Sequence, residues 1–223
     1  MTAFDEQLAA AEIQWAELYG RGPERTRWTD TPLQEGDQAP DFQRLDSAGN
    51  TVQLKDFWAE NPALILFWRH YGCGCGLDRA ERLNNEIADY QKAGANVVIV
   101  GQGEPERAAY YAMRYKLEDY PILCDPSTEA YFAYGLLEGK ETQVLFDAPN
   151  EFLDRDPEAG KRFVKERQEM GRPLVDNPWL LPGEFVVDTN GIVRLAYRYN
   201  FCEDFPDARV HLAAIREAHL AVK

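Results

Sequence analysis

Two cysteines one residue apart, Cys73 and Cys75, lie in the stretch ALILFWRHYGCGCGLDRAERL (63–83), directly behind Arg69 and His70. A thiolate is the nucleophile of thiol chemistry, and a nearby cation or a helix N-terminus lowers the pH at which it forms. This stretch offers both. The uncharged run 64–68 has the length and content of a fully buried strand, the chain turns at Gly72, and Leu77, Leu83 and Ile87 then recur along an amphipathic segment. A buried strand that delivers thiols to a helix start favours thiolate over thiol through the N–H groups and dipole there. Cys73, between Gly72 and Gly74 and close to Arg69 and His70, is the best nucleophile, with a pKa expected to fall from about 8.5 toward neutrality or below.

The partner of Cys73 has two readings. A C-x-C pair closes into a disulfide if its Cα atoms come within about 7 Å. Alternatively Cys75 points away and Cys202 resolves Cys73. The pattern leans to Cys73–Cys75, with Cys202 the competitor. Cys124, at the end of a short apolar run, is read as a small buried hydrophobe. His70, next to a buried strand, is read as a hydrogen-bonded framework residue that can also orient or activate Cys73. A different class of function uses the same atoms. His70, Cys73, Cys75 and Cys202 together offer an imidazole and three thiolates, a donor set that suits Cu(I), Zn(II) or an iron–sulfur cluster. Their spacing matches no zinc signature of paired C-x-x-C knuckles.

These residues need a scaffold to bring them together. Residues 2–19 predict an amphipathic helix with Leu8, Ile13, Trp15 and Leu18 on its apolar stripe, ended by Gly20, Gly22 and Pro23. It is read as a packing extension, with a homodimer contact as the rival. Residues 42–54 predict a hairpin turning at 47–50, and the strand and cysteine turn follow, with a helix to about Lys92. Then come a strand at 96–100, a helix at 104–115, a strand at 120–124 and a short helix at 129–134. Tyr110, Tyr111 and Tyr115 are read as core-facing. Gly101-Gln102-Gly103 is a turn, since a dinucleotide loop needs a third glycine.

Residues 138–180 break this rhythm with a polar insertion that includes a helix at 157–170. Its Lys161, Arg162, Lys165 and Arg167 are read as a solvated face. Insertions of this length often form lids or interfaces. Two strands then turn at 188–191, and a helix spans 207–222 with Val210, Leu212, Ile215 and Leu220 apolar. The order βαβ, βα, ββα is that of the thioredoxin fold, an α/β class with a central mixed sheet flanked by helices. In that order the second hairpin strand runs parallel to 64–68, so Cys202 emerges at the same sheet end as Cys73. Pro182 falls where such folds place a loop proline, often cis, facing the thiols; an ordinary trans Pro-Gly turn is the alternative. The expected organisation is an N-terminal helical extension (1–35) and one thioredoxin-like domain (36–223) carrying the insertion.

Composition bounds the partners. A formal charge of −14 over 223 residues argues against nucleic acid and anionic membrane as partners. The first residues lack a basic stretch followed by an apolar run, and no stretch approaches the roughly 20 apolar residues of a membrane span. Four cysteines are no disulfide scaffold in a chain this long. The expectation is a reducing cytoplasm, where close-set cysteines are redox-active or metal-binding.

GDQAPDF with the following G-x-x-V-x-L, then FWRHYGC, VVIVGQGEPERAAYYAMRY, YPILCDPSTEAYFAYGL and PGEFVVDTNGIVRLAYR stand in sequence from Gly36 onward. In this set and order they resemble the AhpC/TSA peroxiredoxin-like proteins of the thioredoxin superfamily, and within them the peroxiredoxin-like 2 branch. The resemblance implies an antioxidant oxidoreductase with a redox-active disulfide. Its substrate would be a peroxide or a disulfide, its reductant an external thiol such as a thioredoxin or glutathione system, and it would need no cofactor. That branch carries R-H-x-G-C-x-x-C, so Cys73 matches its first cysteine. The second would fall at Gly76, and the chain has Cys75 instead. The peroxide site P-x-x-x-T-x-x-C is absent, since Leu66 and His70 occupy the proline and threonine positions, and the PGEF segment offers no arginine just before Phe185. Arg69 is the candidate replacement cation.

Overall fold

A computed structural model describes residues 3–144, 165–167, 169 and 174–221. Its helices are α1 (Ala3–Arg21), α2 (Gly74–Lys92), α3 (Pro105–Tyr115), α4 (Glu129–Ala133), α5 (Glu141–Val144) and α6 (Ala208–Leu220). The strands are β1 (Gln43–Asp46), β2 (Thr51–Gln53), β3 (Ala63–Phe67), β4 (Asn96–Gly101), β5 (Ile122–Cys124), β6 (Gly183–Val187) and β7 (Val193–Arg198). They form one sheet in the order β2-β1-β5-β4-β3-β6-β7.

All five residues of β3 are buried, because layers of structure cover both faces of the sheet. Successive side chains alternate between those layers. Leu64 and Leu66 join Trp68, Leu83, Tyr111 and Ile215 on one side. Ile65 and Phe67 join Tyr131, Tyr134 and Phe185 on the other. β3 runs parallel to β4 and antiparallel to β6, and β7 is antiparallel to β6. β7 is therefore parallel to β3, and the chain beyond it returns to the cysteine end. The sheet is mixed and flanked by helices, as the element order predicts. Among the described residues no helix is long and apolar enough to cross a membrane.

The apolar stripes differ from expectation in two helices. In α1 the buried residues are Ala11, Trp15 and Tyr19, while Ile13 is 61% exposed. Trp15 stacks on Tyr19 and Tyr19 on Trp179, so the extension packs on the late part of the insertion. In α6 the buried face is His211, Ala214, Ile215 and Ala218, whereas Val210 and Leu220 lie outside. The helix turns an imidazole inward where the sequence offers two aliphatics. Tyr111 and Tyr115 face the core but Tyr110 is exposed, with its ring tilted against that of Phe4.

The insertion is not polar throughout. Leu174, Val175, Trp179, Leu180 and Leu181 are buried, and Glu138 holds the segment by accepting hydrogen bonds from Arg21 and Asn177. Of the helix expected at 157–170, residues 165–167 and 169 are described and helical. Lys161 and Arg162 lie outside the described residues.

Candidate active site

β3 ends at Phe67, and the Trp68 amide still donates to the Val100 carbonyl (2.8 Å), so the strand is held to its last residue. The chain then turns through Tyr71 and Gly72. Tyr71 packs on Gly101 and Gly103, where an added Cβ would collide with its hydroxyl and with its ring edge respectively. The Gly-Gln-Gly turn is thus a seat for an aromatic ring. Cys73 is the N-cap of α2, extended at φ −68° and ψ 138°, and its amide donates to the His70 carbonyl at 3.1 Å. That places its sulfur at a positive helix end.

Cys73 and Cys75 form a disulfide, with Cα atoms 5.4 Å apart. Buried Arg69 donates through Nη1 to Cys73 Sγ at 2.8 Å, lies 4.0 Å from Cys75 Sγ, and is anchored through Nη2 on the Pro178 carbonyl. Burial pulls the guanidinium down from its ordinary value, while the charges of Cys202 and Glu203 oppose that pull. Cys202 packs with Cys73 and Cys75 in one buried cluster edged by Phe205. Its amide donates to the Gln143 carbonyl at 2.9 Å, which fixes the loop beyond β7. A cavity of about 20 Å³ lies against this cluster, lined in part by Arg69, Cys75, Pro182, Glu184, Tyr199 and Cys202.

The structure therefore brings Arg69, Cys73, Cys75 and Cys202 together, with Gly72 in the turn and Pro182 on the cavity wall. No cis peptide bond occurs among the described residues, so Pro182 is trans, and it directly precedes β6 instead of sitting in a Pro-Gly turn. His70 is buried and supports the turn through its carbonyl, but it does not line the cavity. Cys124 stands apart at the end of β5, its thiol pushed up to about 12, chiefly by burial. The shifted second cysteine has a steric reason. A Cβ at Gly76 would stand 2.9 Å from Trp68 Nε1 and 3.3 Å from the Tyr111 hydroxyl, so a cysteine there has no room. The metal reading meets an obstacle too. Two of its thiolates are committed to the disulfide, and among the described residues no three His, Cys, Asp or Glu side chains are grouped to hold an ion.

Beneath the thiols lies a charged group that sequence reading missed. Arg79, one helical turn below Cys75, donates to both oxygens of Glu184 on β6 (2.7 and 3.1 Å) and to Glu86 (3.0 Å). Tyr199 also donates to Glu184, and His211 Nε2 stands 2.6 Å from it. Burial alone would raise the Glu184 carboxyl. Arg79 and His211 outweigh that and hold it well below the usual carboxylate range. A signal existed: a glutamate inside a strand whose every residue is buried must find its partner indoors.

The AhpC/TSA family model matches residues 35–196. That is most of the chain. The chain belongs to the AhpC/TSA family. It is 31% identical over 111 residues to a peroxiredoxin-like protein of Mycobacterium tuberculosis strain H37Rv, covering 50% of this chain and 69% of that protein. It is 25% identical over 132 residues to the chloroplastic thioredoxin-like protein AAED1 of Arabidopsis thaliana, covering 57% of this chain and 53% of that one. Its fold is similar to that of the peroxidoxin BcpB of M. tuberculosis (TM-score 0.56, 16% identity, 86% of this chain and 99% of that one). It also resembles the thiol peroxidase of Chromobacterium violaceum (TM-score 0.57, 16% identity, 88% and 92%). With the family goes the class: this AhpC/TSA member is a thioredoxin-fold oxidoreductase that works through thiols.

Proposed function

We propose that Cys73 attacks a peroxide or a disulfide and that Cys75 resolves the product. With a peroxide, the Cys73 thiolate takes the distal oxygen to become a sulfenic acid, the O–O bond breaks, and the alkoxide leaves with a proton as an alcohol. The Cys75 thiol then displaces water from the sulfenic acid, and the Cys73–Cys75 disulfide forms. Two equivalents of an external thiol, of the thioredoxin or glutathione kind, return both cysteines to thiols and leave as a disulfide. The observation that carries this reading is the single turn on which Cys73 caps α2, touches Arg69 and is paired with Cys75. Arg69 stabilises the Cys73 thiolate before attack and again when it is the leaving group. The thiols suffice for this cycle, so we assign no resident cofactor, and we place the protein in a reducing cytoplasm.

Cys202 has a claim as the resolving thiol, because it lies in the same buried cluster and lines the cavity with Cys75. Disulfide mapping by mass spectrometry after one equivalent of peroxide separates the two. The expected product is Cys73–Cys75, unchanged in Cys202→Ser. A Cys73–Cys202 product in the wild type would transfer the resolving role. Cys73→Ser should reduce both peroxide consumption and disulfide exchange to background, and full turnover in that variant would refute the reading.

A further inference from the structure

The buried face of α2 carries Cys75, Arg79, Leu83 and Tyr90, with Glu86 on the same side, so one line of residues runs from the disulfide toward the far end of the helix. Tyr90 and His211 are fully buried. Tyr90 donates to Glu86 Oε2 (2.9 Å) and lies 2.9 Å from His211 Nδ1, and His211 Nε2 lies 2.6 Å from Glu184 Oε2. Glu86 keeps 17% of its side chain in contact with solvent, whereas Glu184 faces the cavity shared by Cys75 and Cys202.

Counting hydrogens shows what this line holds. Three contacts join Glu86, Tyr90, His211 and Glu184, and each needs one hydrogen between its two heavy atoms. Ionised carboxylates supply none, the phenol supplies one and a neutral imidazole supplies one. With two hydrogens for three contacts, the Tyr90 hydroxyl can turn between Glu86 Oε2 and His211 Nδ1, which is the re-pairing a relay needs. A buried chain with one more link than it has hydrogens can pass a proton along by re-pairing its links. Burial and the Glu86 carboxylate keep Tyr90 protonated, as a hydroxyl link in such a chain must be.

The geometry points to a proton path from solvent at Glu86, through Tyr90 and His211 to Glu184, which supplies the proton taken up by the Cys75 sulfur when the disulfide opens. It rests on the reading of Cys73–Cys75 as the working couple. An incoming thiolate attacks Cys73 Sγ and forms a mixed disulfide, the Cys73–Cys75 bond breaks, and its electron pair stays on Cys75 as a thiolate. That thiolate forms on the wall of the cavity that Glu184 also lines, and protonation removes its charge from the buried site. The proton leaves His211 for Glu184 and crosses the cavity, by way of the Tyr199 hydroxyl or one water, for which about 20 Å³ is enough room. Tyr90 and Glu86 refill His211 from solvent.

The test follows opening of the Cys73–Cys75 disulfide by dithiothreitol in water and in heavy water, quenched by alkylation and read by intact mass. Tyr90→Phe breaks the path at its hydroxyl. Glu86→Gln keeps the size and hydrogen-bond acceptor at the solvent end but does not relay a proton. Both should slow opening by about 10- to 100-fold, within the usual reach of general acid catalysis. Both should also change the solvent isotope effect, while melting temperature in Glu86→Gln stays near the wild type. Opening at the wild-type rate with the wild-type isotope effect in both variants would overturn the path. So would slowing that only parallels lost thermal stability. If dithiothreitol does not open the wild-type disulfide at all, the redox assignment of the couple fails instead.

Discussion

Cys73 and Cys124 leave the same sheet at the same end, one after β3 and the other at the end of β5, both strands parallel to β4. Both are buried. Their surroundings are opposite. Cys124 has burial acting on it first and the carboxylates of Asp46 and Glu104 adding to it, with Arg107 the one opposing charge, and its thiol rises to about 12. Cys73 has the start of a 19-residue helix behind it and a guanidinium nitrogen 2.8 Å from its sulfur. Burial makes a thiol inert unless positive charge is buried with it, and this chain contains both outcomes a few strands apart.

Four experiments can break or sharpen that contrast. Largest is the difference in reactivity: in the reduced protein at neutral pH, Cys73, beside Arg69 at a helix start, should alkylate on the order of 10⁴-fold faster than Cys124, whose thiol is pushed up. Comparable labelling rates, read by peptide mass mapping, would end the comparison. Next is the buried carboxylate that braces the reactive end. Glu184→Gln leaves Arg79 and His211 short of a countercharge and should cost about 3 kcal/mol in urea unfolding. Its sign with pH is fixed. The folded carboxyl lies below its unfolded value, so its contribution is present above about pH 4.3 and is lost as the pH falls through the folded value. The wild type should therefore lose stability over that acid range, and Glu184→Gln should lose less. Third, Arg69→Gln removes the cation at Cys73 and should slow its alkylation about tenfold, with the absorbance of its thiolate appearing at higher pH. Smallest is Cys124→Ala, about 1 kcal/mol of stability and no change in turnover.

The main plan was legible in the sequence because it rests on period and punctuation. The apolar run before Gly72 must be a strand buried on both faces, and the element order then puts Cys202 at the end of the sheet that carries Cys73. What escaped was charge placed indoors. Arg79, Glu184 and His211 are single polar residues in segments whose apolar neighbours carry the pattern, and the period of α6 favours Val210 and Leu220 as core because an imidazole counts as polar. Their burial follows from pairing across α2, β6 and α6, which are far apart in the chain. The insertion misled for the opposite reason. Its average is polar, yet residues 174–181 end it with Trp179 and three leucines packed inside.

The crowding at Gly76 also constrains how this site can be re-engineered. Moving the second thiol one place along, to the C-x-x-C spacing, asks a side chain to occupy the space held by the Trp68 indole and the Tyr111 hydroxyl. Neither step works by itself: a cysteine at 76 collides, and a smaller residue at 68 leaves a void beside β3. The two spacings are separated by a paired exchange, with a less stable protein on either route between them, and a designer wanting the longer ring must alter the tryptophan and the glycine together.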